Sequence, residues 1–335
     1  MRYLITGGAG FIGSHLAHAL LRAGNRVTVI DDLSTGSLEN IRSLRDHPSF
    51  ACVIAPVEEE GAIAPLIDEA EVVFHLAAAV GVRLIIESPV RTIFTNVHGT
   101  EVVLQFAEAQ KKRVIVTSTS EVYGKSDACP FREDSDIVLG PPDKGRWSYA
   151  CSKALDEFLA LAYWKERRLP VTVVRPFNTV GPRQTGRYGM VLPTFVRQAL
   201  TGEPITIFGD GLQSRCFTHV ADVVWALSRL AIEPRAIGEV FNIGNPEEIA
   251  IAELAHLVRR LARSSSPIVH VPYDEAYGRG FEDMRRRVPD VAKLVGLTGF
   301  QPRHGIRKIV LDVIASVRET LEHLPLMPME RARVA

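Results

Sequence analysis

The chain has few cysteines. Cys52, Cys129, Cys151 and Cys216, four in 335 residues, are too widely spaced to staple a chain of this length and show no paired metal-ligand spacing. They read as reduced thiols of a cytoplasmic protein. The ten histidines show no pairing suited to a metal, so none is expected. Neither sign of charge is in excess, because 39 Lys and Arg balance 39 Asp and Glu. No long-range field then draws the chain to nucleic acid or to an anionic membrane, and a small molecule is the expected partner. No apolar run approaches the ~20 residues of a membrane span. Residues 1 to 6 enter an apolar strand at once, which leaves no room for a signal peptide. There is no linker and no internal repeat.

What is present is alternation. "RYLIT", "RVTVI", "ACVIA", "EVVFHLA", "RVIVTST" and "VTVVRP" read as buried parallel strands, with amphipathic segments between most of them. Such alternation implies right-handed crossovers and a doubly wound α/β sheet of Rossmann type over residues 1–175. Ligands of that architecture sit beyond the carboxyl ends of the strands. From about Pro176 the rhythm breaks into Gly, Pro and Arg-rich loops with shorter helices near 191–201 and 251–263. Residues 176–335 therefore read mainly as a smaller substrate-binding cap, partly interleaved with the first domain. The tail "LPLMPMERARVA" has little periodicity and reads as a disordered end or a contact with another subunit.

"ITGGAGFIGSHLAHALLRAG" supplies Gly7, Gly10 and Gly13 between a strand and a helix, and the next strand ends in Asp31, 18 residues after Gly13. In that context the glycines let backbone approach a pyrophosphate at a helix N-terminus, and Asp31 can accept from ribose hydroxyls. The same carboxylate would repel a 2′-phosphate, which favours NAD over NADP. Expected cofactor contacts are Gly7, Gly10, Phe11, Ile12, Gly13, Asp31, Asp32 and Ala77.

"RWSYACSKALDEF" places Tyr149 and Lys153 four residues apart, on one face of a helix. An ammonium beside a phenol stabilises phenolate, which suits Tyr149 as a general base and Lys153 as a second cofactor and catalytic contact. The hydroxyl cluster "TSTSEVYG" follows a strand end, where ligands bind.

At this point the chain resembles the extended short-chain dehydrogenase/reductases that act on nucleotide sugars. The resemblance runs through "TGGAGFIG", "DDLSTG", "HLAA", "TNVHGT", "STSEVYG", "YACSK", "RPFNTVGPR", "GDGLQSRCFTHVADVV" and "FNIGNP". It implies that Thr119 hydrogen-bonds the reacting oxygen, Tyr149 takes its proton, Lys153 holds the nicotinamide ribose, and NAD takes hydride from sugar C4. It also implies that Asn178 and Arg215 hold the substrate, and that a homodimer forms through a four-helix bundle. One departure is "IAPVEEE", where the family usually has a Gly-Asp pair that meets the adenine.

The outcome after C4 oxidation turns on residues 120 and 121. Sugar 4,6-dehydratases carry Asp-Glu there, the Asp protonating the departing C6 hydroxyl; here the pair is Ser120-Glu121. A serine hydroxyl is too weak an acid for that step. A β-keto carboxylate at C6 needs no such acid, and Thr-Ser-Glu resembles the UDP-glucuronic acid decarboxylases. In "YGRGFEDMRRRVPD", Arg287 falls where such an enzyme has an arginine implicated in catalysis, and a guanidinium can grip a carboxylate bidentately. Arg285 and Arg286 read as surface. Against this, "AAAVGVRLIIESP" looks more like the loop of 4-epimerases, where Arg83 would hold the carboxylate and protect it. A UDP-glucuronate decarboxylase is thus expected, with a UDP-sugar 4-epimerase as the alternative. A non-catalytic NAD-binding regulator is the distant third.

Overall fold

Continuous apolar runs become strands here because both faces of the sheet are covered, so no alternate position has to be polar. The computed structural model describes residues 1–81, 88–186, 190–277 and 284–323. Arg83 and the tail after residue 323 lie outside the described residues. The six expected strands form β1 (Arg2–Thr6), β2 (Arg26–Asp31), β3 (Phe50–Ile54), β4 (Val72–His75), β5 (Arg113–Thr117) and β6 (Val171–Pro176). A seventh, Val240–Ile243, arrives from the second half of the chain and pairs with β6. The sheet order is Val240–Ile243, β6, β5, β4, β1, β2, β3, with every pairing parallel.

Two apolar layers cover the sheet, and the alternation along β1 shows how. Tyr3 and Ile5 face the helix Phe11–Arg22 and the helix Val220–Ile232, with Leu16, Leu20, Val223 and Leu227 in the same cluster. Leu4 faces the other way, among Ile63, Val103 and Ala160 of the helices Glu60–Glu69, Pro89–Ala109 and Trp147–Arg167. Fully burying such a side chain contributes about 1.5–3 kcal/mol, so the two layers fix the register of the strands. A third cluster, with Leu192, Phe195, Ile205, Leu254, Val258, Ile309 and Val313, is the core of the cap. The expected cap helices are Val191–Thr201 and Ile251–Ala262. Among the described residues, no helix is long and apolar enough to cross a membrane.

The chain runs from β1 outward to β3 and then returns to the opposite side of β1 with β4. Loops after β1 and β4 therefore diverge and leave a crevice at the carboxyl ends of the strands.

Candidate active site

A cleft of about 610 Å³ opens at that crevice. It is lined by Gly7, Gly10, Phe11, Ile12 and Gly13 after β1, by Asp31 and Asp32 after β2, and by Ala77 after β4. Gly7 has φ +69°, and a Cβ there would lie 2.8 Å from the Ala77 nitrogen. At Gly13 a Cβ would meet the Gly7 carbonyl oxygen at 2.3 Å. Both glycines are thus required by close approach of backbone. The helix behind them begins without a side-chain cap and without an acid in its first turn, so its N-terminal N–H groups stay available to an anion. Asp31 is buried and accepts from Ala9 N at 2.9 Å and Leu33 N at 2.8 Å, which ties the glycine loop to β2. Burial raises its carboxyl above the usual range, against those backbone donors. Pro56, Val57 and Glu58, the departure from the Gly-Asp pair, also line the cleft. So do Ser34, Thr35, Arg91 and Thr95, which no spacing in the sequence marked individually.

Below the cleft, buried polar groups form a chain. Thr6 Oγ1 accepts from Leu76 N and Ala77 N and meets His75 Nδ1 at 2.9 Å, while His75 Nε2 meets Thr100 Oγ1 at 3.1 Å. His75 is thus a satisfied core histidine, as expected. Burial, helped by the charge of Lys153, lowers its pKa to about 3, so the ring is neutral. Asn96 has the expected structural role: it accepts from Ala79 N at 2.8 Å and donates to Ser152 at 3.2 Å. Thr117 Oγ1 and Ser118 Oγ are buried without a hydrogen-bond partner among the described residues, and Thr117 lines the cleft. Neutral glycine backbone, an open helix end, two carboxylates on the β2 side and the orphaned Thr117 hydroxyl in the lining fit a dinucleotide.

Thr119 caps the short turn Ser120–Tyr123 and accepts from Glu121 N at 3.2 Å. Its hydroxyl also hydrogen-bonds the phenol of Tyr149, across from it on the helix Trp147–Arg167. Ser120 is buried beside them. The fold therefore brings Thr119, Ser120, Glu121 and Tyr149 together. The expected lowering of the Tyr149 phenol does not appear. Burial pushes it up, and the Glu121 carboxylate adds to the rise. Lys153, fully buried one turn on, gives its ammonium to Asp156 at 2.6 Å.

Arg287 comes from the cap, yet its Nη1 lies 3.4 Å from Glu121 Oε1, and its side chain is 9% exposed. The backbone aims it: Phe131 N donates to Val288 O and Asp290 N donates to Phe131 O, both at 2.8 Å. Arg285 and Arg286 are exposed, and Arg286 pairs with Glu248 at 2.8 Å. Arg215 is buried and donates to the Ser214 carbonyl at 2.7 Å, while Asn178 donates to the Cys216 carbonyl at 3.0 Å. Both stand on the cap side of the site. Under them, Arg175 forks onto Glu157 at 2.9 and 2.6 Å and donates to the Tyr123 hydroxyl at 2.9 Å. Tyr123 in turn donates to Asn242 of the seventh strand at 2.7 Å. Burial pushes the Tyr123 phenol up to about 12, so it remains a donor. All four cysteines are free, and among the described residues no cluster could hold a metal.

The chain is similar to known proteins over nearly its whole length. The family model "NAD dependent epimerase/dehydratase family" matches residues 3–244. A UDP-N-acetyl-alpha-D-glucosaminuronate decarboxylase of Bacillus cytotoxicus is 43% identical over 319 residues, 95% of this chain and 98% of the relative. UDP-glucuronic acid decarboxylase 1 of Danio rerio is 35% identical over 322 residues, 96% of this chain and 74% of the relative. Among solved structures, a UDP-glucuronic acid 4-epimerase from Bacillus cereus in complex with UDP-glucuronic acid and NAD superposes with a TM-score of 0.86. It is 28% identical, and the match covers 96% of this chain and 100% of that one. Because these matches span the strands and loops that build the cleft, the chain belongs to the NAD dependent epimerase/dehydratase family.

Proposed function

We propose that this protein is an NAD-dependent decarboxylase of a UDP-hexuronate, with UDP-N-acetylglucosaminuronate and UDP-glucuronate as the substrates to test. The observation that carries this is the approach of Arg287 to Glu121 at 3.4 Å, beside Thr119 and Tyr149, with Ser120 where a dehydratase needs an acid.

Gly7, Gly10, Gly13, Asp31, Asp32 and Ala77, with Lys153, would hold NAD, which would supply the hydride acceptor for sugar C4. Thr119 holds the C4 oxygen, and Tyr149 takes its proton. Proton transfer to a phenolate requires Tyr149 to ionise against burial and against Glu121, so the rate rises with pH on the acid side of the profile. Arg287 offers its guanidinium to the C6 carboxylate and has Glu121 as a competing anion. Once C4 is a ketone, the C6 carboxylate is β to it. Carbon dioxide then leaves while the electron pair passes into the ketone as an enolate, which takes a proton at C5; no acid at C6 is used, and the product is a UDP-pentose if the hydride returns to C4 and a UDP-4-keto pentose if it does not. Asn178 and Arg215 hold the nucleotide end.

Two helices support a homodimer. Val90, Ile93 and Phe94 on Pro89–Ala109, and Leu155 and Phe158 on Trp147–Arg167, are exposed apolar side chains on helices packed against each other. A second copy meeting them makes a four-helix bundle. The balanced charge and four free thiols are consistent with a cytoplasmic setting.

Mass spectrometry and proton NMR of each uronate incubated with the protein and NAD test the reading. Loss of carbon dioxide with a UDP-pentose product supports it. Unchanged mass with an inverted C4 would instead establish the 4-epimerase alternative, which the Bacillus cereus structure keeps in view. The regulator reading requires no turnover of either substrate.

A further inference from the structure

Lys153 and Asp156 meet at 2.6 Å with side chains 1% and 0% exposed, one turn apart on the catalytic helix. Nothing in the proton and hydride transfers above uses Asp156. Two charges out of contact with water persist only when each compensates the other's lost hydration. The neighbours do not take over that task. His75 of β4 is neutral. Thr100, on the helix Pro89–Ala109, favours the charged form of the Asp156 carboxylate and also donates to the Asn96 carbonyl at 2.8 Å, but as a neutral hydroxyl it cannot balance the Lys153 charge. Glu157 is engaged by Arg175 of β6, and Glu121 by Arg287 of the cap. Lys153 is therefore the cation that faces Asp156, and Asp156 the anion that faces Lys153.

We propose that Asp156 is a positioning residue that fixes the Lys153 ammonium and screens its charge from Tyr149, so that it sets the pH at which Tyr149 begins to act as a base. The proposal rests on the reading of Tyr149 as the proton acceptor. An ammonium paired at 2.6 Å presents little net charge to a third group, whereas an unpaired one favours phenolate. Of the anions around Tyr149, Glu121 and Asp156 both raise its phenol, and it is Asp156 that is paired with Lys153.

The test uses the full chain with NAD and the better uronate. Asp156→Asn keeps the size and an acceptor oxygen for Lys153 while removing the charge. The acid limb of kcat/KM against pH is expected to move down by about one pH unit, a gain of about tenfold relative to the plateau on the acid side. Asp156→Glu keeps the limb at the wild-type position. NAD affinity by calorimetry stays within about threefold in both variants, which separates this effect from loss of cofactor. A merely structural residue would lower the rate at every pH without moving the limb. An unmoved or upward-moving limb in Asp156→Asn, or an equal shift in Asp156→Glu, overturns the proposal. Where Asp156→Asn does not fold, Asp156→Ser is read the same way. If the wild-type protein turns over neither uronate, the proposed function fails, and this inference is read without turnover. Ultraviolet titration of tyrosinate, with Tyr149→Phe as the blank, must then show Tyr149 ionising at lower pH in Asp156→Asn than in wild type, and no difference refutes it.

Discussion

Acidification destabilises the floor of the cofactor cleft at His75. The ring is 2% exposed and hydrogen-bonded at both nitrogens, with its pKa lowered from 6.5 to about 3 by burial and by Lys153. The unfolded chain binds this proton near pH 6.5 and the folded chain only near pH 3. Stability is therefore lost as the pH falls through that window. Each unit below 6.5 costs about 1.4 kcal/mol, so His75 alone removes about 2 kcal/mol between pH 7 and pH 5. A glutamine at this position binds no proton. In His75→Gln the loss of stability between pH 7 and 5, measured by urea unfolding, is expected to be smaller than in wild type by about 2 kcal/mol, whatever the absolute cost of the substitution. Carbon-13 NMR of labelled histidine rings reads the same group directly. Equal acid losses in the two proteins, or a His75 ring that titrates near 6.5, would refute the reasoning.

Three other outcomes follow from the geometry. Arg287→Ala, which removes the guanidinium facing Glu121, should lower kcat by about a hundredfold or more with NAD affinity unchanged, measured by product formation and calorimetry. Arg175→Met leaves Glu157 buried without its bidentate partner and should cost about 3–5 kcal/mol in urea unfolding. Phe158→Glu places a charge on the exposed apolar helix face, where the side chain is 67% exposed, and should convert the expected dimer to monomer in sedimentation with little loss of monomer stability.

Much of this was legible in the sequence, for physical reasons that differ by element. β1, β2, β4, β5 and β6 are continuous apolar runs because helices cover both faces. The seventh strand was not legible: "VFNI" is short, and it joins the sheet only after the cap has begun. The glycine cleft could be read because Gly7 and Gly13 are dictated by backbone approach. Pro56, Val57 and Glu58 could not be assigned, since their role comes from standing after β3 at the cleft edge. The resemblance singled out Arg287, but its meeting with Glu121 was not legible, because no local pattern joins residue 287 to a turn after β5. Lys153 and Asp156 were in plain view three residues apart. The electrostatic sign at Tyr149 still came out opposite to expectation, because spacing shows neither how deeply the phenol is buried nor that Glu121 stands beside it.

The strap that carries Arg287 is held to Phe131 by backbone hydrogen bonds on both sides of Pro289. The aim of position 287 thus depends on main chain and not on the side chain it presents. A protein built this way can change what it displays to the reacting sugar without renegotiating its fold. On the function proposed above, chemistry at C6 becomes a replaceable fitting on a fixed mount, and variants at 287, 120 and 121 form the compact set that tests whether one scaffold can be steered between losing a carboxylate and keeping it.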